Sequence, residues 1–212
     1  MNSSDESRLV ERARAGDVAA FEALISQYEK RVYGLAYRLT GNHEDASDMA
    51  QEAFVRAYTS LAEFRGDSSF STWLHRIVYN ACRDELRRRQ RQRVSSLDEP
   101  MDKDDGELAR QWADPADGPE QALERRELQR LVREAVLDLD EDHRDILILR
   151  DFQDLTYEQI RDVLGVSLGT VKSRLNRARA ALKEALRSRL ADRELFAPAA
   201  VYRARRRRGG EL

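Results

Sequence analysis

Apolar residues recur at three- and four-residue steps through roughly the first ninety positions, the spacing of helices that bury one face. Leu9, Val10 and Ala13 open a short helix that ends at Gly16. Asp17 can cap the next, since its carboxylate can accept from backbone N–H groups two or three residues on. That second helix is expected to reach Gly41, carrying Phe21, Leu24, Ile25, Tyr28, Val32, Leu35, Ala36 and Leu39. Asn42 can cap a third, with Ala46, Met49, Ala50, Ala53, Phe54, Ala57 and Leu61 along one side. The turn formers Arg65-Gly66-Asp67-Ser68-Ser69 come next. A fourth helix holds Trp73, Leu74, Ile77, Val78 and Ala81 before giving way to arginines. Trp73 and Ile77 share a face, which makes Trp73 core support.

The pattern stops at residue 94 and resumes at 120. The stretch 94–119 gains Ser, Asp, Gly and Pro, and it contains Asp98, Glu99, Asp102, Asp104, Asp105 and Glu107. Such a segment reads as a flexible, self-repelling linker. Beyond Pro119 come Leu123, Leu128, Leu131, Val132, Val136 and Leu139, then Ile146, Leu147 and Leu149. Helices follow from Thr156 to Leu164 and from Ser167 to about Leu190, parted by Gly165 and Val166. The expected architecture is all-α: a four-helix domain over 5–93, a flexible acidic linker and a second small helical domain over 120–191. The tail 192–212, with its Arg203–Arg208 cluster, is expected to be disordered.

Composition sharpens this. A charged share of 36% with few Gly and Pro suits helices with salt-bridged surfaces. The net charge of −2 is uninformative, but its distribution is not. Arg83, Arg87, Arg88, Arg89, Arg91 and Arg93 form one basic run, and Lys172 to Lys183 form another that contains no acid. Segregated charge points to local binding surfaces. The one cysteine, Cys82, allows no internal disulfide. The polar N-terminus lacks a signal peptide's apolar core, and no apolar run nears the ~20 residues that span a bilayer. A cytoplasmic protein without membrane insertion is expected.

The sharpest local signal lies between Leu155 and Leu175. Thr156 can cap a short helix whose Ile160, Val163 and Leu164 point inward, and Gly165 supplies the left-handed residue that ends it. Ser167 can cap a second helix with Val171, Leu175, Ala178 and Leu182 as its buried stripe. This is the helix-turn-helix plan. At 100° per residue from Lys172, Asn176 falls near roughly 40°, Ser173 near 100° and Arg177 near 140°, whereas the stripe lies at about 240–300°. A cationic face opposite a buried stripe suits the DNA major groove: Arg and Lys donate to guanine, Asn pairs with adenine, and others hold phosphates. Thr170, Lys172, Ser173, Asn176 and Arg177 are the candidates.

Two further runs carry a resemblance. The segment Asp45-Ala-Ser-Asp-Met-Ala-Gln-Glu-Ala-Phe54, with Phe64-Arg-Gly-Asp-Ser-Ser-Phe-Ser-Thr-Trp73 and the helix after it, resembles region two of extracytoplasmic-function sigma factors. Gly169-Thr-Val-Lys-Ser-Arg-Leu-Asn-Arg-Ala-Arg179 resembles their region four. Both occur in the family's order across roughly four-fifths of the chain. The resemblance implies a group 4 sigma-70-type subunit that binds core RNA polymerase and directs promoter recognition for a stress or envelope-signal regulon. It implies that Asp45, Asp48, Gln51, Glu52 and Phe54 dock on the clamp helices of the polymerase's largest subunit. It implies that Arg65, Gly66, Asp67, Ser68 and Ser69 form the loop that captures a flipped minus-ten base. Arg76, Asn80, Arg83 and Arg87, at helical spacing, would hold that strand's backbone. The helix-turn-helix would read the minus-thirty-five element. The acidic linker replaces the third region of other sigma classes. An anti-sigma partner is implied, and the free protein is expected to be a monomer.

Two other readings compete. A stand-alone helix-turn-helix regulator explains the second half but leaves the runs at 45–54 and 64–84 idle. An enzyme needs a constellation that is hard to find: His43, His75, His143 and Cys82 are widely separated, without metal-ligand spacing, and no phosphate-cradling glycine loop occurs. No catalytic residue, metal or cofactor is expected.

Overall fold

The structure, a computed structural model, describes residues 3–95 and 119–196. Helix α1 (Ser3–Arg14) ends at Gly16, whose φ of +93° breaks the helical path. Asp17 then accepts the Ala20 N–H at 3.0 Å and starts α2 (Val18–Ser26).

The single long helix expected from Asp17 to Gly41 is two. α2 stops at Ser26, and α3 (Glu29–Thr40) starts after Tyr28. Ser26 Oγ and Gln27 Nε2 both donate to the Ala23 carbonyl, at 3.0 and 2.9 Å, drawing the chain out of the helical ladder. Tyr28 turns inward, with its hydroxyl donating to Glu6 at 2.8 Å and its ring on Phe70. The apolar spacing is the same on both sides of the break, so periodicity does not reveal it.

α4 (His43–Ser60) is capped as expected, with Asn42 accepting the Asp45 N–H at 2.7 Å. A 3₁₀ turn over Leu61–Glu63 leads to the loop and α5 (Phe70–Ser95). Phe64, Phe70 and Trp73 form one aromatic cluster, with ring centroids 5.2 to 6.0 Å apart. Trp73 is buried, as expected of core support. Leu24, Leu35, Leu39, Leu61, Leu74 and Val78 are fully buried behind it.

α6 (Pro119–Leu137), α7 (Glu141–Leu147), a π-helical turn over Ile148–Phe152, α8 (Tyr157–Leu164) and α9 (Leu168–Phe196) complete the order. No strand occurs among the described residues. The acidic linker lies outside them, except that 94 and 95 still belong to α5 and 119 begins α6. Residues 192–196, expected to be disordered, continue α9, and the rest of the tail lies outside the described residues.

The described chain forms two compact units: residues 3–95 with Asp145–Leu175, and residues 119–144 with 176–196. This line differs from a division at the linker alone. In the first unit α5 is the common neighbour, packing against α3, α4 and α8, and α3 also meets the π-turn. Arg38 of α3 lies over the Phe152 ring at 5.3 Å. In the second unit Leu131, Ala135, Val136 and Leu139 are buried, and Arg189 pairs with Glu134 at 2.9 Å and with Asp138.

Candidate nucleic-acid and protein interfaces

The helix-turn-helix is built as its sequence dictates. Thr156 Oγ1 accepts the Gln159 N–H at 3.2 Å while Gln159 Oε1 accepts the Thr156 N–H at 2.8 Å, a reciprocal capping box. Gly165 ends α8 at φ +67°, and Ser167 Oγ accepts the Thr170 N–H at 3.1 Å to start α9. Val171, Leu175 and Ala178 are buried, whereas Lys172, Ser173, Asn176 and Arg177 are exposed. Two of the five candidates have local tasks. Thr170 Oγ1 shares a hydrogen bond with Ser167 Oγ at 2.8 Å, and Ser173 Oγ donates to the Thr170 carbonyl at 3.1 Å.

The loop before α5 turns at Gly66, φ +79°. Arg65, Gly66, Asp67 and Ser68 line a cleft of about 670 Å³ with Trp73 and Arg76, and Arg161, Asp162, Gly165 and Val166 face it from α8 and the turn. Ser69 is not among the lining residues. Its hydroxyl accepts the Thr72 N–H at 3.1 Å and caps α5. Asn80 and Arg87 are exposed on α5.

Arg83 departs from its expected place. Its guanidinium is buried, donating from Nε to Asp145 Oδ2 at 2.8 Å, and Tyr79 donates to the same oxygen at 2.7 Å. Arg76, Asn80, Arg83 and Arg87 do share one helical face, but Asp145 of α7 covers its middle. Burial pushes the Tyr79 phenol well above its ordinary value and the neighbouring Cys82 thiol up to about 12. Nearby His75 is buried too; its Nδ1–H donates to the Ser71 carbonyl at 2.6 Å, and desolvation lowers its pKa from the ordinary 6.5.

On α4 the expected acidic edge divides. Asp48, Gln51 and Glu52 are exposed, but Asp45 is buried in an ion pair with Arg89 and accepts a hydrogen bond from Asn42 Nδ2. It positions the edge instead of forming it. Phe54 is half-buried, while Val55, at 54% exposed, stands on the acidic face. The same 100° count that groups Asp48 with Glu52 places Val55 between Gln51 and Asp48, so that exposed apolar residue was findable. Sequence reading also missed the charge lattice behind it. Arg56 pairs with Glu52 at 2.8 Å and Asp84 at 3.2 Å, and Glu85 pairs with Arg88 at 2.8 Å and Arg89 at 2.7 Å. Hydrogen bonds from Arg88 lead in holding the Glu85 carboxyl down at about 2. Asp48, Gln51, Glu52, Val55, Arg56 and Glu85 line a second hollow of about 540 Å³. Among the described residues no group of three or more metal-ligating side chains occurs, and no helix is long and apolar enough to cross a membrane.

These surfaces coincide with two known families. Residues 24–92 match Sigma-70 region 2, and residues 129–182 match Sigma-70, region 4. The chain is 39% identical over 186 residues to the RNA polymerase sigma-H factor of Pseudomonas aeruginosa, covering 88% of this chain and 96% of that one. It is 34% identical to the ECF RNA polymerase sigma factor SigW of Bacillus subtilis, covering 84% and 95%. The solved structure of CnrH in complex with the cytosolic domain of CnrY is similar, with a TM-score of 0.63, 25% identity and coverage of 87% and 98%. The sigma factor RpoE of Bartonella quintana, solved with the anti-sigma factor NepR, shares the fold at a TM-score of 0.61 and 23% identity, over 79% and 96%. The chain thus belongs to the extracytoplasmic-function sigma factors of the sigma-70 family, which direct RNA polymerase to promoters. A stand-alone regulator has no need of region 2, which settles the choice between those two readings.

Proposed function

We propose a division of labour for the three surfaces of this sigma factor. Asp48, Gln51, Glu52 and the adjoining Val55 dock on core polymerase, an apolar contact ringed by charge, with Asp45 and Phe54 supporting them from behind. The cleft beside Gly66 receives one extruded base of the minus-ten non-template strand: Asp67 and Ser68 meet its polar edge and Trp73 walls the pocket. Arg65, Arg76, Asn80 and Arg87 hold the strand's backbone. Lys172, Asn176 and Arg177 read the minus-thirty-five element in the major groove, with Thr170 and Ser173 setting the start of the helix. The functional domains are 5–93 and 120–191. Melting is driven by binding free energy, and no reaction is assigned to the chain, which acts in the cytoplasm.

The observation that carries this reading is α9, whose exposed cationic face lies opposite a stripe in which Val171 and Ala178 are wholly buried. The similar protein CnrH is solved in complex with the cytosolic domain of CnrY, which supports a protein partner for this chain as well. Transcription in vitro with bacterial core polymerase, on fragments of the source genome, tests the proposal. Discrete transcripts that need the protein, and that fade for Lys172→Ala or Asp48→Ala, are expected. DNA binding without core enzyme, and without new transcripts, would overturn it.

A further inference from the structure

The residues of the base-capture loop, Arg65 to Ser69, are exposed or half-buried, so the loop takes its shape from its two ends. Both ends are buried aromatic residues. Phe64 and Phe70 are 8% and 3% exposed, with rings edge to face at 6.0 Å, and Trp73 lies 5.2 and 5.5 Å from them. The two rings clasp the loop, because moving either one moves the end of the chain that carries it.

What holds the clasp comes from the start of the chain. α1 packs on α2 and lies beside the 3₁₀ turn over Leu61–Glu63 that leads into Phe64. One turn before its buried Val10, α1 carries Glu6, whose carboxylate accepts the Tyr28 hydroxyl at 2.8 Å. Tyr28 is 4% exposed, and its ring lies 5.5 Å from that of Phe70. Burial first, and then the bond to Glu6, raise the Tyr28 phenol far above its ordinary value, so the hydroxyl keeps the proton it donates. α1 thus supports both ends of the loop, directly ahead of Phe64 and through Tyr28 at Phe70. Neither Glu6 nor Tyr28 lines the cleft. We propose that they are positioning residues for minus-ten capture: their hydrogen bond fixes Phe70, and with it the aromatic clasp that shapes the loop before DNA arrives. A loop ordered in advance loses less freedom when it binds, so the base is held more tightly. The proposal rests on the base-capture reading above.

The test uses the full chain with bacterial core polymerase on premelted templates, in which each minus-ten non-template base in turn is replaced by an abasic site. The position where the unsubstituted protein loses most affinity marks the captured base. On the intact strand, Tyr28→Phe should lower affinity by about three- to tenfold, and on the strand abasic at that position by less than about twofold. Glu6→Ala, at a half-buried site, should lose the same, and it decides the matter if Tyr28→Phe does not fold. The double variant should lose no more than either alone, because both break one bond. Affinity for core polymerase should not change. With Trp112→Phe, Trp73 is the one tryptophan left, and acrylamide should quench it about twofold more readily in either variant. Equal losses on intact and abasic strands, a parallel loss of core affinity, or unchanged quenching overturns the proposal. If no abasic position weakens the unsubstituted protein, base capture itself fails and the positioning role with it. A costly position whose effect survives both variants in full sinks the positioning role alone.

Discussion

Two glycines in the helix-turn-helix have opposite demands on them, and the difference is a backbone angle. Gly165 sits at φ +67° with nothing within 4 Å of where a Cβ would stand, so Gly165→Ala introduces backbone strain and no clash. It is expected to cost about 1 kcal/mol, since left-handed geometry disfavours residues with a side chain by that order. Gly169 is helical, and a Cβ there would touch Ser167 Oγ only at 3.7 Å, ordinary contact. Gly169→Ala is expected to gain roughly 0.5–1 kcal/mol from helix propensity. Thermal unfolding of both variants measures this, and shifts of the same sign would refute it. For recognition, Arg177→Ala should cost about 1–3 kcal/mol of promoter affinity and relax the preference at one base position, read by transcription from matched promoter mutants. Legibility at this scale follows how local the cause is. Thr156, Ser167 and Gly165 act on neighbours a few residues away, and sequence places them correctly. Asp45 and Arg83 answer to Arg89 and Asp145, 44 and 62 residues distant, and no local pattern announces those partners.

At the scale of elements, existence and type were readable, while one joint and one helix's surroundings were not. The break at Gln27 and Tyr28 hides because two side chains, Ser26 and Gln27, take the carbonyl of Ala23 without altering the apolar spacing. α5 shows its apolar face over Trp73–Ala81 in the sequence, but its contact with α8 hides because no local pattern in either helix announces the other. The burial of α5 has a consequence for pH. His75 is lowered from 6.5 by desolvation, so the unfolded chain takes up its proton first, and stability present above about 6.5 is lost as pH falls below that value. Glu85 is held at about 2 against an ordinary 4.5, so its contribution persists until pH drops below 4.5 and is gone near 2. Urea unfolding followed from about pH 7.5 down to about pH 3 should therefore show two successive losses of stability. His75→Gln should flatten the upper one and leave the lower. An upper loss that survives His75→Gln would assign it to other groups.

For the whole molecule, the near-zero net charge conceals how binding works. With 37 basic and 39 acidic side chains the average field is negligible, so affinity for DNA must come from where the charges stand. Lys172 and Arg177 are exposed on α9, and Arg65, Arg76 and Arg87 on and before α5, where phosphate or base can reach them. Every phosphate neutralised releases counterions, and the logarithm of the binding constant falls with the logarithm of salt at a slope of about 0.9 per phosphate. Holoenzyme binding to its promoter, followed across salt concentration, should thus be steeper than for core polymerase alone on the same fragment. Replacing Lys172 with Ala should lower the slope by about one and weaken promoter and unrelated sequences alike, if that ammonium holds a phosphate. Should it read a guanine edge, the slope should change less and the loss concentrate on promoters carrying that base. If α5 holds single-stranded backbone as proposed, Arg76→Ala should act only on templates whose minus-ten strand is already open. Equal losses on closed duplex and on premelted templates would move Arg76 out of the strand-holding set and leave Arg65, Asn80 and Arg87 to carry it.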